Sequence, residues 1–149
     1  MARLARPTVA VLALLLLLVA LNGSCASVAG GVVDGSLVPC PTSPNCVCSE
    51  DVDEQHAIDP LPVPTGEGTP VERLLARLAT LPRVEVVEVA DGYVHATFTT
   101  LLLRFTDDVE FLLDPSGTHF DVRSASRVGY SDLGANRARV DELRELLAR

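Results

Sequence analysis

Residues 91–100 carry the pattern that decides the fold, and they read DGYVHATFTT. The dipeptide Asp91-Gly92 is typical of a tight hairpin turn. After it, the apolar side chains of Val94, Ala96 and Phe98 alternate with polar ones, which is the two-residue period of a strand with one buried face. The stretch therefore predicts the second strand of a β-hairpin.

The same pattern extends the prediction to the rest of the C-terminal half. Strands are predicted for Val84–Val89, Tyr93–Thr100, Asp108–Leu113 and Thr118–Arg123. A capping-box pattern at Thr69 to Glu72 begins one helix, which ends by Pro82, and a second helix is predicted for about 136–148. This order predicts an α+β fold, in which a four-stranded antiparallel sheet has two helices packed on one face and is preceded by an irregular, disulfide-pinned arm.

Length and charge limit the classes of function. The 149 residues allow one domain, which we divide into residues 1–29 as a signal peptide or membrane anchor, 30–69 as a Cys- and Pro-rich arm and linker, and 70–149 as the folded body. Twelve basic residues, all Arg, stand against twenty acids, giving a formal charge of -8. An acidic chain of this kind is not expected to bind nucleic acid, because that requires a basic face.

The N-terminal segment has the layout of an export signal. Arg3 and Arg6 precede the apolar residues 8–21, and small residues stand at 23–27 and at 29. Three fates are open: cleavage after Ala26 or Ala29, lipidation of Cys25 as in a lipoprotein, or retention as an anchor. Each predicts an exported domain in the periplasm or on the outer face of the membrane.

The remaining cysteines predict a disulfide. Cys40 and Cys46 flank a turn-rich stretch that can bring them together, which leaves Cys48 unpaired. A metal site formed by these three cysteines and His56 is the alternative, but their spacing matches no standard zinc pattern. No metal or cofactor is therefore predicted, and His56 is expected to hold the arm to the sheet by bonding to backbone.

Longer motifs resemble a known family. These are PCPTSPNCV at 39–47, HAIDPL at 56–61, FTDDVEF at 105–111, and VRSASRVGYSDLG at 122–134 followed by Asn136 and Arg137. Together they resemble the bacterial and plastid domain-of-unknown-function family numbered 1499, over roughly 37–146. The resemblance implies a small exported or membrane-attached domain with no established activity, and it leads us to expect Ser at the position of Cys48.

The polar stretch before the last helix is the candidate ligand site. A helix N-terminus flanked by arginines suits a phosphate or carboxylate. The predicted site comprises Arg123, Ser124, Ser126, Arg127, Asn136 and Arg137, with the acids Asp108 and Glu110 beside it. In the alternative interpretation these arginines pair internally with Asp107, Asp108, Glu110 and Asp132, and the acids form no divalent-cation site.

These features favour a binding or assembly module of the cell envelope, with an anionic small molecule or an envelope protein as partner and the membrane contacted through the N-terminus. The alternatives are a small hydrolase, with Ser124 or Ser126 near His119, and a purely structural envelope protein. No catalytic residue is assigned, and the balance favours a protein that is not an enzyme. The leucines at 101–103 are expected to form a buried bend, whereas an exposed version would mark an interface.

Overall fold

The computed structural model describes residues 30–149, so the predicted signal segment, Cys25 and the three fates lie outside the described residues. In chain order the elements are β1 (Val32–Val33), β2 (Ser36–Leu37), β3 (Cys46–Cys48), β4 (Leu61–Pro62), α1 (Pro70–Leu78), β5 (Val84–Ala90), β6 (Tyr93–Thr99), β7 (Thr106–Leu113), β8 (His119–Ser126) and α2 (Ala135–Leu147).

One antiparallel sheet of six strands organises the domain. Its order is β3-β8-β7-β6-β5, and β4 also pairs with β8, while β1 and β2 form a separate two-stranded ribbon. Cys46 of β3 stands opposite Ala125, and Leu61 of β4 stands opposite Phe120. The arm therefore adds two short strands to the free edge of β8.

The prediction of a four-stranded sheet with an irregular arm is therefore wrong. The four predicted strands exist as β5 to β8, but the segment expected to be irregular supplies β1 to β4. The physical reason lies in β8, which continues to Ser126 and would otherwise leave the backbone N–H and C=O groups of one edge without partners. Short arm segments satisfy these groups.

The first helix begins where its capping box predicts. The Glu72 amide donates to Thr69 Oγ1 over 3.2 Å, and the Thr69 amide donates to Glu72 Oε2 over 2.7 Å. Pro70 occupies the first turn, where its missing N–H costs nothing. Leu74 and Leu78 then face the core of the domain.

The predicted disulfide between Cys40 and Cys46 is confirmed, with a Cα–Cα distance of 5.7 Å. It joins the arm to the start of β3. The buried His56 ring then bonds through Nδ1 to the carbonyl oxygen of Cys46 over 2.9 Å, as expected for a residue that holds the arm. Both contacts fix the arm around β3, and the pairing of β3 with β8 holds it on the sheet.

The hydrophobic core lies between one face of the sheet and the two helices. It is formed by alternate residues of the strands together with one stripe from each helix: Val47, Leu61, Leu74, Leu78, Val94, Ala96, Val109, Phe111, Phe120, Val122, Val140, Leu143 and Leu147. Alternation sends the neighbouring strand residues to the opposite face. We call that second surface the polar face.

Strand β5 forms the outer edge of the sheet. Its pairing with β6 shifts register between Val86 and Glu88, which is a β-bulge. Val86, Val87 and Val89 are exposed along this edge.

Candidate functional site

A buried carboxylate lies at the centre of the polar face. Glu110 of β7 accepts a hydrogen bond from Arg123 Nη1 over 2.7 Å and one from the Tyr93 hydroxyl over 2.7 Å. The backbone amide of Gly31 donates to Glu110 Oε1, the same oxygen that accepts from Tyr93. Burial, together with the bond to Glu110, raises the pKa of Tyr93, so the phenol stays a proton donor.

A second ion pair lies next to it, towards the end of the sheet where β7 begins. Arg127 binds the carboxylate of Asp108 with two groups, Nε at 2.9 Å and Nη2 at 2.7 Å, and His95 Nε2 contacts the same carboxylate at 2.8 Å. Burial would raise the pKa of Asp108, but the bonds from Arg127 and His95 outweigh it and hold the pKa below its ordinary value. The bond to Asp108 also raises the pKa of Arg127.

These two groups line a cleft of about 520 Å³ on the polar face. One wall is the segment Gly30 to Val32, which leads into the β1–β2 ribbon. The cleft is lined by Gly30, Gly31, Val32, Glu88, Ala90, Asp91, Tyr93, His95, Asp108, Glu110, Leu112 and Arg127. Four of these residues are acids and one is an arginine, so the cleft is negatively charged even when the buried Arg123 behind it is counted.

The ribbon also covers a small apolar cluster on the polar face. Leu37 packs with Tyr93 and Leu112 against Cys48, which is the free cysteine of the described domain. Burial raises the pKa of the Cys48 thiol to about 11. The thiol therefore behaves as a small apolar side chain.

The predicted ligand site divides between the two faces of the sheet. Arg123 and Arg127 lie on the polar face with Asp108 and Glu110, whereas Ser124, Ser126 and Asn136 lie on the face covered by the helices. Arg137, at the start of α2, donates to the carbonyl oxygen of Gln55 over 3.2 Å. Because these arginines have protein partners, the internal pairing accounts for their positions, and anion binding there stays a prediction.

The helix-side part of the predicted set is a buried hydrogen-bond network. Asn136 Nδ2 donates to the carbonyl oxygen of Asn45 over 2.9 Å and to the side chain of Asp132 over 2.7 Å. Its Oδ1 accepts from Ser124 Oγ over 2.7 Å and from Arg139 over 2.6 Å. This network joins β8, α2 and the arm.

Arg139 is a residue that the sequence reasoning missed. Its guanidinium group forms an ion pair with the buried Asp107 and lies 5.5 Å from the ring centroid of Phe98. The signal available in the sequence was its position three residues after Asn136, which places both on one side of the helix.

The end of the sheet where β7 begins carries exposed apolar side chains, and we call it the loop end. The β6–β7 loop exposes Leu101, Leu102, Leu103 and Phe105, and the β8–α2 loop exposes Val128, Tyr130 and Leu133. Because Thr99 pairs with Thr106 and Asp107 pairs with Ser126, both loops leave the sheet at this same end. The expectation that the leucines at 101–103 form a buried bend is therefore wrong.

The arrangement does not bring together the residues of the hydrolase alternative. Ser124 and Ser126 lie on the helix-covered face, whereas His119 begins β8 at the opposite end and contacts Asp114 and Asp121. Within residues 30–149 no group of three or more His, Cys, Asp or Glu side chains could hold a metal ion. In the same range, no helix has the length and apolar character needed to cross a bilayer.

The structure defines a class of small domain in which a six-stranded antiparallel sheet carries two helices on one face, while a disulfide-tied arm supplies two edge strands and a ribbon on the other face. The family model described as "Protein of unknown function (DUF1499)" matches residues 36–147. The chain belongs to the DUF1499 family, which confirms the resemblance of its motifs. No curated protein and no solved structure matches the chain.

Proposed function

We propose that this chain is an exported module of the cell envelope that binds the surface of a lipid bilayer through its loop end. The observation that carries the proposal is the exposure of seven large apolar side chains on two neighbouring loops. Leu102 is 88% exposed and Leu133 is 97% exposed. Concentrated apolar exposure of this kind marks an interaction surface, because isolated soluble domains rarely tolerate it.

Hydrogen bonds hold both loops in place. In the β6–β7 loop, the Thr100 amide donates to the Phe105 carbonyl oxygen over 2.8 Å, and the Phe105 amide donates to Thr100 Oγ1 over 2.9 Å. In the β8–α2 loop, Asn45 Nδ2 donates to the Gly129 carbonyl oxygen over 2.6 Å. The apolar side chains are thus presented on fixed supports, which lowers the entropic cost of binding.

Two arginines at this end can contact anionic lipid headgroups. Arg83 and Arg104 lie here, and neither has a carboxylate partner within residues 30–149. The nearby acids Asp107 and Asp108 are paired with arginines. Arg83 and Arg104 are thus available for anionic headgroups, although Asp132 of the β8–α2 loop is an acid at the same end, and each arginine near an anionic bilayer contributes about 1 kcal/mol.

The shape and composition of the loops suit a bilayer better than a flat protein partner. The leucines lie at the tip of a hairpin, and the aromatic rings of Phe105 and Tyr130 are exposed at the same end of the sheet. Aromatic rings of this kind prefer the boundary between headgroups and acyl chains. Leucine tips flanked by aromatics and arginines are the composition expected of a shallow membrane insertion.

The test uses the fact that the chain contains no Trp. The full chain carrying Leu102→Trp is incorporated into vesicles of phosphatidylcholine and phosphatidylglycerol with brominated acyl chains. We expect the Trp emission to shift to the blue and to be quenched by bromine. A matched variant, Val89→Trp, places the reporter on an exposed valine nearer the opposite end of the sheet and should show neither effect.

Other occupants of the loop end give different results. Quenching that is equal at the two positions, or absent at both, contradicts the proposal. A blue shift of Leu102→Trp that needs no lipid and grows with protein concentration assigns this end to a second copy instead. Arg104→Asn should weaken quenching in vesicles containing phosphatidylglycerol but leave it unchanged in pure phosphatidylcholine.

A further inference from the structure

Gly30 lies directly against the carboxylate of Glu110 in the polar-face cleft. A Cβ atom added at Gly30 would overlap that carboxylate, so no other residue fits this position without displacement. The backbone nitrogen of a residue lies about 2.5 Å from its Cβ position, so the nitrogen of Gly30 lies within about 4 Å of Glu110 Oε2. A positive charge on that nitrogen would be at ion-pairing distance.

The cleft has negative charge available for such a group. Glu110 is paired with Arg123 and Asp108 with Arg127, whereas Glu88 and Asp91 have no ion-pair partner among the described residues. Glu110 is itself 1% exposed, and its oxygens accept from Tyr93, Arg123 and the Gly31 amide. The cleft is thus an acidic receptor whose deepest carboxylate faces the start of the arm.

The sequence before Gly30 has the pattern read by export-processing proteases. Ala29 and Ser27 are small residues at the first and third positions before the Ala29–Gly30 bond. They follow the positive Arg3 and Arg6 and the apolar residues 8–21. Cleavage after Ala29 would create a new amino terminus at the glycine that lies directly against the Glu110 carboxylate.

We propose that a processing protease hydrolyses the Ala29–Gly30 bond and that the new α-ammonium group of Gly30 pairs with Glu110. Water supplies the hydroxyl for the Ala29 carboxylate and the hydrogen for the Gly30 amine, which takes up a further proton at neutral pH. Processing would then add one positive charge to the acidic cleft and fasten the arm to the sheet. This inference goes beyond the proposed function, which uses the loop end alone.

The first experiment determines the mature terminus. The full chain is expressed with export, the protein is recovered from the envelope fraction, and its N-terminus is read by mass spectrometry. We expect it to begin at Gly30. A chain that begins at Ser27, carries a lipid on Cys25, or is unprocessed contradicts the inference.

The second experiment uses the absence of Lys from the chain. The α-amino group is therefore the one primary amine of the protein, and an N-hydroxysuccinimide ester reports on it alone. We expect this amine to react at least about tenfold more slowly in the native protein than in urea, because a rise of one pKa unit removes nine-tenths of the reactive neutral form. Equal rates in the two states would overturn the ion pair.

Two variants separate the ion pair from simple burial. Gly30→Ala places a methyl group against Glu110, so it should restore the reaction rate seen in urea while the circular dichroism spectrum stays native. Glu110→Gln should raise the rate without adding bulk. A native, processed Gly30→Ala protein that still reacts slowly would show that Glu110 does not hold the amine.

Discussion

Arg123 and Glu110 stand opposite each other on β8 and β7, joined by a 2.7 Å hydrogen bond and exposed by only 2% and 1%. An ion pair this deep is costly to desolvate, and it persists because Tyr93 and the Gly31 amide satisfy other lone pairs of the carboxylate. The ion pair at the centre of the polar face is therefore buried and holds β7 and β8 together, in addition to lying beside the cleft.

Breaking this pair should be strongly destabilising. Arg123→Met leaves a buried carboxylate without its cation, and we expect the free energy of unfolding to fall by about 3–5 kcal/mol in urea titrations. The double variant Arg123→Met/Glu110→Gln removes the charge as well and should lose less than the sum of the two single variants. Strict additivity would mean that the two side chains are not coupled.

Replacing Asn136 should lower the free energy of unfolding far more than replacing the adjacent Arg137. Replacing Asn136 with Ala leaves several buried groups of Asn45, Ser124 and Asp132 without their partner, and we expect a loss of about 3 kcal/mol. The control Arg137→Ala removes a bond at an exposed position and should change stability by less than about 0.5 kcal/mol. Similar losses for the two variants would refute the network.

The lowered pKa of Asp108 predicts that the domain loses stability in acid. This pKa is held below the ordinary value in the folded state, so the unfolded chain takes up the proton first as the pH falls. The stabilisation is complete above about pH 4, the unfolded value, and disappears as the pH drops through the folded value. Urea titrations between neutral and acid pH should therefore show a steeper decline for the parent than for Asp108→Asn. Glu85→Gln, which removes an exposed charge from β5, should keep the parental slope.

The thiol of Cys48 should be unreactive in the native protein. With a pKa of about 11, roughly one molecule in a thousand carries the thiolate at pH 8, and burial blocks access as well. In the full chain with Cys25→Ser, a disulfide-based thiol reagent should find no thiol before denaturation and one thiol afterwards. Three thiols after denaturation would show that Cys40 and Cys46 are not joined.

The body of the sheet could be predicted because its signals are local. Asp91-Gly92 sets a turn, and the alternation of Val94, Ala96 and Phe98 sets a face, so the chain between 84 and 126 could be read strand by strand. The arm could not be read in this way. Strands of two or three residues such as β3 and β4 are too short for periodicity, and they form because β8 offers them an edge.

For the polar stretch before the last helix, the sequence identified charged residues that lie together, but it did not show which of the grouped residues share a face. Arg123, Arg127, Asp108 and Glu110 do meet on one face, which follows from alternation once the register of β7 against β8 is known. Ser124 and Asn136 were grouped with them because they are near in sequence, although a one-residue step along a strand changes the face. The exposure of Leu102 could not be read from the sequence, because an apolar triplet between strands fits a buried bend equally well.

The bulge on β5 has a consequence for how these molecules behave in a crowded compartment. A straight outer strand bearing Val86, Val87 and Val89 would offer further chains an even row of backbone groups on which to stack into fibres. The register shift between Val86 and Glu88 makes that row uneven. The domain thus limits its own growth into aggregates at the outermost strand.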